Sequence, residues 1–87
     1  MKYEIRWKRS AERDLRSIDR QQVARIISAV ESLAGNPFPP GLRKLRGAEQ
    51  LYRIRVGDYR VIYEIETKSR ILTIFYVRHR REAYRKV

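Results

Sequence analysis

The 87-residue sequence predicts an α+β fold of order β-α-α-β-β-β, with two N-terminal helices packed on a mainly antiparallel sheet and a basic C-terminal segment. Three observations predict it. Residues 2 to 7 alternate apolar and polar; residues 11 to 34 carry apolar positions three and four apart; and three period-two runs follow the last proline. A chain of this length, 43% hydrophobic, suits one domain spanning residues 1–87 around a modest core.

In the first strand Tyr3, Ile5 and Trp7 share one side, and Lys2, Glu4 and Arg6 share the other. Ser10 then has the character of an N-cap for a short helix with Ala11, Leu15 and Ile18 on its apolar stripe. Asp19 with Gln22 resembles a capping box that opens a second helix, whose stripe is Val23, Ile26, Ile27, Val30, Leu33 and Ala34. Gly35 and Pro37 end it. NPFPPG, residues 36–41, holds all three prolines and reads as an extended connector. The strands 50–56, 59–66 and 71–78 follow, separated by a Gly57-Asp58 turn and a polar TKSR turn.

Composition narrows the function. Cysteine is absent and no dense histidine or carboxylate cluster occurs, which argues against a disulfide framework, a metal site or a cofactor. The N-terminus lacks a secretory apolar run and no segment has the length of a membrane span, so the expectation is a cytoplasmic protein without a membrane partner. The formal net charge of +11 calls for an acidic partner. Most of that excess lies in residues 42–60 and 76–87, each carrying +4. A fold that joins those stretches would make one basic surface.

The hairpin LYRIRVGDYR, residues 51–60, sharpens the point. A two-residue turn at Gly57-Asp58 sets Arg55 opposite Arg60, with Arg53 on the same face. Like charges directly opposite destabilise a sheet. Exposed strand faces do need charged residues, which suffices for any one arginine. For three together, alternating signs would solvate the face equally well and gain energy. A phosphate cradle explains the group, because guanidinium binds phosphate bidentately and keeps its charge. Lys44 and Arg46, with Arg43, lie just upstream in LRKLRG.

The tail VRHRREAYRK, residues 77–86, adds Arg78, Arg80 and Arg81, the sole histidine, His79, and Tyr84. A basic end docked through Ala83 and Tyr84 is the plainer explanation. Against it, His79 is the side chain suited to proton transfer near neutral pH, and Tyr84 suits stacking on a base. Such a set meets the needs of metal-free RNA cleavage by 2′-oxygen attack.

KLRG, LYRIRVGDYRVIYEI and VRHRREAYRK together resemble the RelE/ParE superfamily of toxins from toxin-antitoxin modules, most specifically from Lys44 to Tyr63. The resemblance implies a RelE-like fold and a ribosome-dependent endoribonuclease, an mRNA interferase that cuts mRNA in the A site without metal or cofactor and inhibits translation. It also implies neutralisation by a RelB-like antitoxin. Carried over by position, Arg53, Arg55 and Arg60 hold the phosphate, Arg80 stabilises the leaving oxygen, and Tyr84 assists deprotonation. Two departures stand out. RelE has lysines where this chain has Arg53 and Arg55, and the shorter spacing leaves Arg78, Arg80 and Arg81 competing for one role, with His79 an alternative acid or base. Two other functions fit the same composition: a ParE-like inhibitor of DNA gyrase, and a non-catalytic basic RNA-binding protein.

Overall fold

The computed structural model of the chain describes residues 2–45, 47 and 50–80. Its elements are β1 (Glu4–Trp7), α1 (Arg9–Arg16), α2 (Arg20–Leu33), β2 (Arg43–Lys44), β3 (Leu51–Val56), β4 (Tyr59–Glu66) and β5 (Ile71–His79). They form a five-stranded sheet in the order β1-β5-β4-β3-β2. From β2 to β5 every neighbour is antiparallel, and β1 joins the far side of β5 in parallel. The expected α+β order therefore holds, with the two-residue β2 added at one edge.

The helices cover one face. Ala11 of α1 and Ile26, Val30 and Leu33 of α2 meet Ile54, Val56, Val61, Tyr63, Ile65, Leu72, Ile74 and Val77 in a continuous buried cluster. Tyr3, just before β1, Ile5 and Trp7 of β1, and Tyr52 and Tyr59 of the hairpin pack around it, as their alternation predicts. Removing each large aliphatic side chain from water contributes roughly 1.5–3 kcal/mol, which makes this face the main source of stability. Ile27, placed on the same stripe of α2 by spacing alone, is 36% exposed and lies at its margin.

The Tyr63 hydroxyl donates to the Pro37 carbonyl at 3.2 Å, anchoring the proline-rich connector beneath the sheet. Burial, and then the neighbouring Tyr52, push Tyr63 ionisation above the usual tyrosine range. Asp19 caps α2 as expected, its carboxylate accepting from the Gln21 N–H at 3.2 Å.

Ser10 does not cap α1. Lys8 occupies the N-cap position and Ser10 lies in the first turn, where its hydroxyl donates to the Phe75 carbonyl at 2.6 Å. The reason is an edge that must be closed. β1 stops at Trp7, opposite Ile74, while β5 continues to His79. The first turns of α1 take over as edge partner: Ser10 supplies a donor to Phe75, and Asp14, four residues on, accepts the Val77 N–H at 2.9 Å.

This is also where β5 changes phase. Tyr63 pairs with Ile74, but Ile62 pairs with Tyr76, leaving Phe75 as the extra residue of a β-bulge. Ile74 and Val77, three apart, both enter the core. Without the bulge, strict alternation would send Tyr76 and Arg78 into that core. With it, both turn to the face opposite the helices.

Candidate nucleic-acid interface

Two rows of side chains cross the helix-free face. Arg55 on β3, Arg60 on β4 and Arg78 on β5 are direct cross-strand partners. Two residues along each strand, Arg43, Arg53, Ile62 and Tyr76 form the second row. Cross-strand neighbours lie about 4.8 Å apart and the rows about 6.6 Å apart. Described residues of both basic stretches thus meet on one face, and the predicted pairing of Arg55 with Arg60 is the observed register.

Arg60, at the centre of the first row, is 3% exposed. Water exposure therefore does not account for this arginine. A guanidinium held in such a low-dielectric position interacts strongly with the charges around it, an incoming anion included. Arg55 is exposed, and Arg53 and Arg78 are half-buried. The row therefore offers one fixed inner charge flanked by accessible ones.

Arg78 is positioned from two sides. Its Nε lies 3.9 Å from Asp14 Oδ2, the carboxylate oxygen that also accepts from the Val77 backbone, and its guanidinium sits 4.6 Å from the centroid of the Tyr76 ring. Arg80 joins the same end of the sheet. Its backbone N–H donates to the Asp58 carbonyl at 2.7 Å, tying the start of the tail to the β3–β4 turn, while its side chain is exposed.

Two predicted site residues face elsewhere. His79 pairs with Tyr59, their rings meeting edge to face at 5.3 Å, and alternation from Arg78 puts it on the helix side of the sheet. The structure does not bring it to the arginine row. Lys44 pairs with Tyr52 and so belongs to the helix side as well, whereas Arg43, opposite Arg53, takes its place among the arginines. Arg46, Arg81 and Tyr84 lie outside the described residues. Tyr76 had no predicted role; the apolar spacing of Ile74 and Val77, which breaks period two, is the signal that marks it.

Arg43, Arg53 and Arg55 also border a groove of about 620 Å3 whose other wall is Ala29, Ser32 and Leu33 of α2 with Pro39 and Pro40 of the connector. No helix among the described residues is long and apolar enough to cross a membrane.

Comparison with known proteins places the fold and this surface in context. The family model for the ParE toxin of the type II toxin-antitoxin system parDE matches residues 5–84. The chain belongs to the RelE/ParE superfamily of toxins. Toxin RelG of Mycobacterium tuberculosis is 29% identical over 87 residues, covering 99% of this chain and 100% of its own. RelE1 of Methanocaldococcus jannaschii is 27% identical over 88 residues, covering 98% of each chain. Among solved structures, the archaeal RelE–RelB complex of Pyrococcus horikoshii superposes with a TM-score of 0.81 at 29% identity, over 92% of this chain and 97% of that one. The protein is thus a toxin of a type II toxin-antitoxin system, and its two helices on a mostly antiparallel five-stranded sheet are the RelE architecture.

Proposed function

We propose that this toxin is a RelE-like, ribosome-dependent and metal-independent endoribonuclease that cuts mRNA in the ribosomal A site and so inhibits translation in the cytoplasm. The observation that carries the reading is the row Arg55–Arg60–Arg78 with its buried centre. Arg55, Arg60 and Arg78 stand on one face of three adjacent strands, and guanidinium groups gathered in this way suit a phosphodiester, which they bind bidentately while keeping their charge. Its cognate partner is a RelB-like antitoxin, as the RelE–RelB assembly of the Pyrococcus horikoshii relative suggests. An acidic antitoxin would neutralise the basic face of the free toxin.

In the proposed reaction the ribose 2′-oxygen attacks the adjacent phosphorus, the bond from phosphorus to the 5′-oxygen breaks, and the 2′-hydroxyl proton leaves as the 5′-oxygen gains one. The products are a 2′,3′-cyclic phosphate and a 5′-hydroxyl. Arg55 and Arg60, with Arg53 in the next row, hold the phosphate and offset the charge that grows on it. Arg80, anchored at the hairpin turn, stabilises the departing oxygen. Tyr84 assists removal of the 2′ proton, a role that rests on the family resemblance. Arginine holds its proton too tightly to serve as that base.

Primer extension on mRNA incubated with the toxin, with and without ribosomes, tests the reading. Codon-phased cuts that need ribosomes support it; uncut mRNA in both samples rejects it. The match to the ParE family model favours a second reading, inhibition of DNA gyrase. That reading expects altered plasmid supercoiling or cleaved DNA with intact transcripts.

A further inference from the structure

The arginine row accounts for a phosphate, but the row beside it is of another kind. Ile62 and Tyr76 are direct cross-strand partners on the same face, about 6.6 Å from Arg60 and Arg78 along their strands. Tyr76 is 38% exposed, among the most exposed large apolar side chains described. The Arg78 guanidinium covers part of this ring, and the rest stands open on a face otherwise rich in arginine.

The local structure works to keep it there. The bulge at Phe75 turns Tyr76 outward, and α1 secures the bulge through Ser10 to the Phe75 carbonyl and Asp14 to the Val77 N–H. Phe75, by contrast, is half-buried with the Lys8 ammonium 4.1 Å from its ring centroid. The Arg78 guanidinium lies over Tyr76 and fixes the orientation of the ring.

We propose that Tyr76, with the Arg78 guanidinium over one face of its ring, offers the other face as a stacking platform for one unpaired RNA base adjoining the phosphate held by Arg55, Arg60 and Arg78. This rests on the reading of the arginine row as an RNA phosphate site and adds a base-binding subsite to it. An exposed ring one row from a phosphate site is the arrangement by which proteins take up single-stranded nucleic acid, since every base offers a π-face. The platform is tolerant of base identity, because stacking reads the face and not the edge.

The test uses the full chain and two 2′-O-methyl oligonucleotides of equal length, which lack the attacking hydroxyl: one with bases and one abasic. Fluorescence anisotropy reads both affinities. The unaltered toxin should bind the base-bearing strand roughly ten- to a hundredfold more tightly than the abasic one. Tyr76→Ala should remove most of that difference and lower abasic binding far less, because Asp14 still lies beside Arg78. Tyr76→Phe should keep it, and Tyr76→Leu, which retains apolar bulk, should behave like the alanine variant. Arg55→Ala should weaken both strands alike. Full base preference in Tyr76→Ala or Tyr76→Leu overturns the platform, and a persisting Arg55→Ala loss then leaves the phosphate reading standing. No binding of either strand by the unaltered toxin overturns the platform, and the cleavage assay on ribosomes then decides the phosphate reading. RNA affinity unchanged by Tyr76→Ala but antitoxin affinity reduced assigns the ring to the protein partner and overturns the proposal.

Discussion

Replacing Asp14 by alanine should destabilise the toxin from a position far from the core, through the edge of β5. Asp14 Oδ2 accepts from the Val77 N–H at 2.9 Å, in a part-buried position. Loss of that acceptor leaves a backbone donor without its partner, at a cost of about 1–3 kcal/mol. The ion pair with Arg78 adds little, because at 3.9 Å with the Arg78 side chain 41% exposed it is weakened by solvent screening. The sum is therefore about 1.5 kcal/mol. For a chain of this size that is a drop in melting temperature of roughly 6–12 °C. Asp14→Asn keeps an acceptor oxygen and should lose less than half as much. Thermal melts followed by circular dichroism measure both. The functional consequence separates this account from simple destabilisation: at temperatures where Asp14→Ala is fully folded, RNA affinity should still fall, because a loosened bulge no longer holds Tyr76 and Arg78 on the arginine face. An Asp14→Ala protein with the melting temperature and RNA affinity of the parent would refute the role assigned to α1.

Three further outcomes follow from single features. Gly57 has a left-handed φ of 60°, and a Cβ there would meet the Arg25 guanidinium and Gln22 amide at no less than 3.6 Å, so Gly57→Ala should cost about 1–2 kcal/mol through backbone strain alone; Gly57→Asn should cost less in the same chemical-denaturation assay. Tyr63→Phe removes the donor to the Pro37 carbonyl and should cost about 1 kcal/mol at neutral pH. Above pH 10 the unfolded state loses the Tyr63 proton while the folded state keeps it, so the parent should lose stability by about 1.4 kcal/mol per pH unit from this group, and Tyr63→Phe should show a shallower alkaline decline in equilibrium unfolding. Finally, the logarithm of RNA affinity should fall with the logarithm of salt at a slope of roughly −2 to −3 for three or four arginine contacts, and Arg55→Ala should reduce that slope by about 0.7 in an anisotropy titration.

Much of the fold was legible because its signals are local. Tyr3, Ile5 and Trp7 alternate, Ile26, Val30 and Leu33 recur at helical spacing, and Gly57-Asp58 sets the hairpin register that pairs Arg55 with Arg60. What was not legible depends on partners distant in sequence. Ser10 looks like a cap because serine commonly is one; only the edge of β5, some 65 residues away, gives its hydroxyl another use. The strand Arg43–Lys44 has two residues, too few to show a period, yet its register decides that Arg43 and not Lys44 stands beside Arg53. The bulge at Phe75 reverses which of Tyr76 to His79 face the arginines, and so admits Arg78 and Tyr76 while turning His79 away. Arg60 differs from Arg53 and Arg55 only in its central place on the sheet, which no composition or spacing reveals.

The central claim is that the arginine row cuts mRNA, and one measurement bears on it most directly: the rate of mRNA cleavage on ribosomes by the parent toxin and by Arg60→Met. Methionine keeps much of the buried bulk and removes the charge at the centre of the row. The variant is compared at a temperature where thermal melts show it fully folded, and is expected to cleave roughly a hundredfold or more slowly, in line with the loss of one preorganised donor at a phosphate. Cleavage by a folded Arg60→Met at the parent rate, or no cleavage by the parent itself, would contradict it.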